Sequence, residues 1–246
     1  MNNRWEGLNT DAASLLQQRN YTNGSPAERL ATSGVETREI INARESDPAI
    51  VEAWIPGVEI FARTVYPQRH RGFFAELARQ EEGRLAEIGM WPKQWATARM
   101  FGGTAKGFHV HPPHIPEGES PEAWFTKLFV TEAENYSLRP YDLEQWDVMF
   151  MLQGSGEMLL VDERAGMPRK IMRFIIEGDD RRGPNNVGVV IPPGVAHAIR
   201  SEASHDFIMV YGTSTKFDPA NEGRIAASVE ISPLPEDWQR YLSGDA

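Results

Sequence analysis

The sequence predicts an all-β fold, a double-sheet jelly-roll barrel with a helical N-terminal arm. From about residue 49 the chain consists of short apolar runs, broken at near-regular spacing by glycine and proline. Many short strands with turn signals between them are typical of a sandwich or barrel, whereas a parallel α/β sheet would need helices between its strands. The sequence also lacks GxGxxG after a strand and lacks GxxxxGK[ST], the two common nucleotide-binding loops.

Three regions are predicted along the chain: the arm at residues 1–48, the barrel at 49–231, and a C-terminal helix or tail at 232–246. The polar arm holds two helical patches, and Ser25-Pro26 supplies a helix-start signal before the second. A closing helix is predicted at 235–242. The helical patches of the arm cover residues 12–18 and 28–43. Predicted strands cover residues 58–65, 94–100, 107–111, 148–153, 157–162, 169–176, 188–191, 198–199, 207–211 and 225–231.

One long insertion, residues 112–145, interrupts the strand pattern. Ser120-Pro121-Glu122 predicts a short helix that continues to Leu128. The segment also carries several aromatic residues, which is unusual for a solvated loop. A structured insertion of this length in a barrel indicates a lid or an interface element.

Composition narrows the function classes. The chain of 246 residues has 25 Lys+Arg against 35 Asp+Glu and a net charge of −10, which argues against a nucleic-acid-binding coat. Without cysteine there is no disulfide framework, Cys-rich zinc site or thiol catalysis. The N-terminus shows no secretory signal, and no apolar run approaches the length of a membrane span. We therefore expect a cytoplasmic protein that binds neither nucleic acid nor membrane.

Three places hold residues suited to chemistry. His109 and His111 share a strand face because their spacing is i and i+2. His197 follows the Pro192-Pro193-Gly194 turn, and Tyr211 ends the apolar strand FIMVY. Removing a proton next to a carbonyl needs a base with a pKa near neutrality, which a neutral imidazole meets, and a phenol can return the proton to carbon.

The combination of HxH, PPGxxH and Gly103 resembles the two-part signature of the cupin barrel. Over roughly residues 50–231 the sequence further resembles the dTDP-4-dehydrorhamnose 3,5-epimerase family, which inverts carbons beside a ketone on nucleotide sugars. The resembling segments occur in the family's order. They are Arg71 to Glu76 (RGFFAE), Lys106 to His109 (KGFH), Val148 to Arg164, Pro192 to His197 (PPGVAH), and Tyr211 with the downstream Phe217 to Ile225 run.

The resemblance implies a homodimeric isomerase with no cofactor, in which His109 is the base and Tyr211 the acid. The residues it implies for substrate binding are Arg71, Phe74, Glu76, Gln94, Lys106 and His197. Three positions depart from the family. Lys106 stands where the family has an arginine. Asp147 stands where the family has a lysine, and His111 stands where it has a glutamine. An aspartate adds negative charge where an enolate would develop.

Two alternatives remain open at the level of sequence. In the first, His109, His111 and His197 hold a divalent metal (Mn, Fe, Zn or Ni), which would indicate a metal-dependent cupin enzyme. In the second, the barrel binds a sugar without turning it over, as a sensor would. The absence of the family lysine favours this second alternative.

Overall fold

The structure is a computed structural model of the chain. It describes the following parts of the sequence: residue 30 and residues 36–111, 133–134, 144–164, 167–202, 204–218, 223–225 and 236–243. The predicted helical patch at 12–18, the predicted helix at 120–128 and nearly all of the 112–145 insertion lie outside these residues.

Thirteen strands and four α-helices are assigned within the described residues. The helices are α1 (Thr37–Ser46), α2 (Pro48–Ala53), α3 (Arg84–Glu87) and α4 (Glu236–Ser243). The strands are β1 (Glu59–Ala62), β2 (Val65–Pro67), β3 (Phe73–Ala75), β4 (Gln94–Met100), β5 (Ala105–Val110), β6 (Ala133–Glu134), β7 (Asp147–Gln153), β8 (Ser155–Asp162), β9 (Ile171–Glu177), β10 (Val187–Ile191), β11 (Val195–Ser201), β12 (Phe207–Thr213) and β13 (Gly223–Ile225).

Two antiparallel sheets form the barrel, which confirms the predicted jelly-roll class. One sheet has the strand order β1-β10-β7-β12-β4, and the other has the order β6-β13-β5-β11-β8-β9. Strands that are distant in sequence pair with each other, such as β5 with β11 and β4 with β12. The short hairpin of β2 and β3, which the sequence pattern did not predict, forms a separate two-stranded sheet.

The core is built from the alternate side chains of each strand. On β8, Met158 and Leu160 belong to the large cluster that also contains residues of the opposite sheet. Leu159 and Val161 point to the other side of β8 and join a second cluster with Trp238 of α4. Because α4 covers the outside of this sheet, β8 is buried on both faces, which explains the continuous apolar run from Met158 to Val161 at its centre. The predicted closing helix is thereby confirmed.

The described end of the N-terminal arm packs on the barrel. The backbone N–H of Thr37 donates to Asn185 Oδ1 at 2.9 Å. Ile40 of α1 is buried in the large core cluster. The segment that leads into the barrel is thus fixed to the same core as the sheets.

Candidate active site

A cavity of about 390 Å³ opens between the two sheets of the barrel. Side chains of both sheets line it, so the cavity lies in the interior of the jelly roll and not on its outer face. Its polar lining includes His109, His111, His197, Asp147, Lys106 and Tyr211. Three methionines, Met149, Met158 and Met209, supply much of the apolar wall.

Strand pairing brings the three histidines together. His109 of β5 is the direct cross-strand partner of His197 on β11. Their rings lie 5.9 Å apart between centroids, with an interplanar angle of 18°. His111 lies two residues beyond His109, so it reaches the same cavity, with its ring centroid 5.6 Å from that of His197. The prediction that both histidine segments line one cavity is confirmed.

Gly107 allows β5 to approach β11 closely at this point. Its φ is +133°, and a Cβ atom built on it would lie 2.7 Å from the His197 carbonyl oxygen. The same Cβ would lie 2.6 Å from the Cβ of Ala198. The pairing of β11 with β5 shifts register between His197 and Ile199, directly across from this glycine. A residue with a side chain would therefore push apart the two strands that carry the histidines.

Asp147 contacts two of the three histidines. Its Oδ2 lies 3.2 Å from His111 Nε2 and 3.4 Å from His197 Nε2. Its other oxygen, Oδ1, accepts a hydrogen bond of 2.9 Å from Gln145 Nε2. Gln145 is held in turn because its Oε1 accepts from the Thr215 hydroxyl at 2.6 Å. The carboxylate is thereby oriented so that one oxygen faces the imidazoles.

Burial and charge set the protonation of this group. Burial lowers the pKa of His197 to about 4, and the nearby charge of Asp147 only partly opposes the effect. Burial also works to raise the pKa of Asp147, but the adjacent imidazoles and the Gln145 hydrogen bond outweigh it and lower this pKa to about 2. At neutral pH, Asp147 is therefore a carboxylate and His197 a neutral imidazole.

Tyr211 enters the cavity from the sheet opposite to the histidines. It lies on β12, between Ala96 of β4 and Met149 of β7. The Lys106 ammonium is 5.7 Å from the centroid of the Tyr211 ring. Because Lys106 lies on β5, the cavity holds a cation and a phenol that face each other from different sheets.

Solved structures of sugar epimerases share this architecture at low sequence identity. The 4-keto-6-deoxy sugar epimerase NovW from the novobiocin gene cluster of Streptomyces spheroides is 20% identical, covers 75% of this chain and 81% of its own, and has a TM-score of 0.51. The rmlC epimerase of Mycobacterium tuberculosis is 17% identical over 77% of this chain and 88% of its own, with a TM-score of 0.50. The dTDP-4-dehydrorhamnose 3,5-epimerase of Sulfolobus tokodaii is 20% identical over 74% and 84%, with a TM-score of 0.50.

The chain has the fold of these sugar epimerases. No protein-family model matches the sequence, and comparison with curated proteins found no match. Within the described residues, no helix is both long and apolar enough to span a membrane.

The barrel gathers most of the predicted site residues, but not all of them. His109, Tyr211, Gln94, Lys106 and His197 line the cavity. Gln94 accepts a 2.9 Å hydrogen bond at Oε1 from the backbone N–H of Phe217, another residue of the cavity wall. The remaining three, Arg71, Phe74 and Glu76, lie on or beside the β2–β3 hairpin and line separate surface pockets.

The predicted set of metal-ligating residues also differs from the cluster in the structure. Among the described residues, the ligand atoms that lie within 4.8 Å of one another belong to His111, Asp147 and His197. Asp147 thus takes the place that the sequence assigned to His109. A long insertion separates Asp147 from the HxH motif in sequence, and the register of β7 between β10 and β12 brings it to the histidines.

Proposed function

We propose that the protein is an epimerase or isomerase that moves a proton on a carbon next to the carbonyl of a polar, nucleotide-linked sugar. One observation carries the proposal: His109 and Tyr211 line the same interior cavity from opposite sheets. A base and an acid on opposite sides of a bound sugar are what inversion of a carbon centre requires. A binding protein would not need that pair.

The proposed reaction has two proton transfers. The His109 imidazole removes the proton from the carbon beside the ketone, and the electron pair of the C–H bond moves onto the carbonyl oxygen to form an enolate. The Tyr211 hydroxyl then gives a proton to the same carbon from the opposite face, and the enolate electrons return to restore the ketone. Solvent restores both side chains to their starting protonation states, so the net change is inversion at one carbon.

Lys106 supplies the positive charge that the developing enolate needs. Its side chain lines the cavity next to Tyr211. A charge placed beforehand in a site with little water stabilises the transition state more than the ground state. The Asp147 carboxylate is directed at Gln145 with Oδ1 and at His111 and His197 with Oδ2.

The substrate class follows from size and from the related folds. Ligand cavities of about 300–1,000 Å³ hold small molecules, and this cavity lies in the lower part of that range. The volume suits one sugar ring, while a nucleotide would extend out of the mouth. The similar solved structures are named as epimerases of 4-keto-6-deoxy sugars and of dTDP-4-dehydrorhamnose. We therefore propose 4-keto nucleotide sugars as the first substrates to test.

The proposed assembly is a homodimer. Arg71, Phe74 and Glu76 do not line the cavity of their own chain, so a substrate role for them requires the β2–β3 hairpin to reach the cavity of a second copy. Tyr66 and Phe74 on this hairpin are 55% and 49% exposed, which is unusual for paired aromatic residues on a monomer surface.

Exchange of solvent deuterium tests the function. The wild-type protein is incubated in D2O with a panel of 4-keto nucleotide sugars, and incorporation is followed by mass spectrometry and NMR. We expect deuterium at a carbon beside the ketone of at least one sugar. His109→Ala should lower the exchange rate by ~10²-fold or more, whereas His205→Ala, which removes an exposed histidine, should not. Tight sugar binding without any exchange would contradict the enzyme proposal and would favour a sugar-binding role.

A further inference from the structure

We propose that His111, Asp147 and His197 bind a divalent transition-metal ion, and that His109 lies outside this ligand set. The proposal does not depend on the epimerase reaction, since it concerns binding of an ion to the substrate-free protein. It rests on the convergence of three ligand atoms, on the proton positions of His197, and on the contacts that hold the ligands from behind.

The spacing of the ligand atoms suits one ion. Asp147 Oδ2 lies 3.2 Å from His111 Nε2 and 3.4 Å from His197 Nε2. Ligand atoms about 2.1 Å from a metal are about 3.0 Å apart at neighbouring octahedral positions and about 3.4 Å apart in a tetrahedron. All three residues are buried, so their ligand atoms are not turned towards bulk water.

The contact between His197 and Asp147 is unfavourable without a cation or a proton. His197 Nδ1 lies 3.3 Å from the carbonyl oxygen of Val195. A carbonyl can only accept a hydrogen bond, so the ring proton belongs on Nδ1, and the lone pair of the neutral ring is on Nε2. That lone pair then faces the negatively charged Asp147 oxygen at 3.4 Å. A bound cation would turn this repulsion between two acceptors into two coordinate bonds.

The surroundings of two of the three ligands have the form expected behind metal ligands. Ligating histidines usually donate the other ring N–H to a carbonyl or carboxylate, and ligating carboxylates are themselves hydrogen-bonded. His197 meets the first expectation through Val195, and Asp147 meets the second through Gln145. Thr215 donates a hydrogen bond to Gln145, and Gln145 donates one to Asp147 Oδ1. Oδ2 is therefore the carboxylate oxygen that can bind the ion.

The ligand chemistry indicates the class of ion. Two imidazoles and one carboxylate suit Fe²⁺, Zn²⁺, Co²⁺ or Mn²⁺ better than Ca²⁺ or Mg²⁺, which prefer oxygen ligands. A bound ion would add positive charge to the cavity wall at the position where the resembling family has a lysine. His109 is not one of the three residues of this cluster, so the proposed ion and the proposed base use different side chains.

Metal content and ligand identity can be measured without any activity assay. Protein purified without chelator is analysed by elemental mass spectrometry, and chelator-treated protein is titrated with Co²⁺ and Zn²⁺ by visible absorption and calorimetry. We expect near-stoichiometric binding to the wild type. His111→Gln, His197→Gln and Asp147→Asn should each weaken it by at least ~10-fold, since even outer-shell changes cost that much. His109→Gln and the surface control His205→Gln should leave it unchanged.

Pulsed EPR of the Cu²⁺-loaded wild type counts the imidazoles bound to the ion. This measurement tests the ligand set even if a ligand variant fails to fold. The spectrum should show two coupled imidazoles, and His109→Gln should give the same spectrum. Failure of the wild type to bind any of these ions would overturn the proposal. A third imidazole that disappears in His109→Gln would overturn the assigned ligand set. Both results leave the deuterium-exchange experiment unaffected.

Discussion

Gln145 donates a hydrogen bond of 2.9 Å from Nε2 to Oδ1 of Asp147, and this contact decides which way the carboxylate faces. With Oδ1 occupied, Oδ2 is turned to His111 and His197. Asp147 stands where the family that the sequence resembles has a lysine, and its negative charge is directed at two imidazoles. The cluster of His111, Asp147 and His197 lies in the same cavity as the pair of His109 and Tyr211, but the two groups share no residue.

Stability should fall as the metal-free protein is acidified. The unfolded chain takes up a proton at His197 below its ordinary pKa of 6.5, whereas the folded protein resists until about 4. The free energy of unfolding therefore drops between these values, by on the order of 3 kcal/mol at most. Asp147 acts in the same direction at lower pH, because its stabilising charge is lost as pH falls from 3.8 towards 2.

Chemical denaturation between pH 7 and pH 4, with a chelator present, measures this dependence. His197→Gln should flatten the curve, and the exposed His205→Gln should leave it steep. Besides Asp147, the charged or titratable groups that act on His197 are His111 and Lys106, so the wild-type curve includes their effects. A His197→Gln protein that kept the full slope would show that burial of this imidazole is not the cause.

Removal of the cavity cation should slow the reaction. Lys106→Met is expected to lower kcat by ~10²-fold or more, since the charge interacts most strongly with the enolate-like transition state. KM should change less than kcat. Lys106→Arg should retain part of the activity, and Lys216→Met, at an exposed position, should retain all of it. A Lys106→Met enzyme with an altered KM and a normal kcat would assign Lys106 to substrate binding alone.

Two glycines with similar positive φ values differ in what a side chain would meet. Gly154 and Gly83 have φ values of +88° and +82°. A Cβ on Gly154 would lie 2.7 Å from the Asp206 carbonyl oxygen, whereas a Cβ on Gly83 meets nothing within 4 Å. Gly83→Ala should cost only the backbone strain of about 1–3 kcal/mol, and Gly154→Ala should lose about 1–3 kcal/mol more through the clash. Urea unfolding of both variants gives the comparison, and equal losses would contradict the clash.

The hairpin surface should hold the proposed dimer together. Replacement of the exposed aromatics in a Tyr66→Ser/Phe74→Ser double variant removes apolar area from this surface, so dissociation to monomers is expected at concentrations where the wild type is dimeric. Sedimentation equilibrium measures the change. Phe101→Ser removes an even more exposed aromatic from another loop and should not alter assembly. A wild type that is monomeric throughout would contradict the dimer.

Local pattern was enough to predict most of the barrel. The pattern of short runs between glycine and proline predicted a strand at residues 94–100, and the structure places β4 at Gln94–Met100. The i and i+2 spacing of His109 and His111 predicted a shared face, because strand geometry fixes that relation locally. The β2–β3 hairpin was missed because its exposed aromatics do not follow the burial pattern of a core strand.

The parts of the site that depend on pairing between distant strands could not be predicted. Asp147 reaches the histidines only because β7 lies between β10 and β12, and no local pattern carries that register. The same limit applies to Phe74, whose predicted substrate contact depends on where the hairpin lies. Sequence reasoning found the residue types of the cavity but not the partners of each one.

The stereochemistry of exchange in Tyr211→Phe tests the central claim most directly. If His109 removes the proton and Tyr211 returns one from the opposite face, loss of the phenol should stop inversion but not abstraction. In D2O, the variant should incorporate deuterium with retained configuration, while net epimerisation falls by ~10²-fold or more. His109→Ala should abolish both processes. Tyr211→Phe protein that inverts its substrate at the wild-type rate would contradict the assignment of acid and base on opposite sheets.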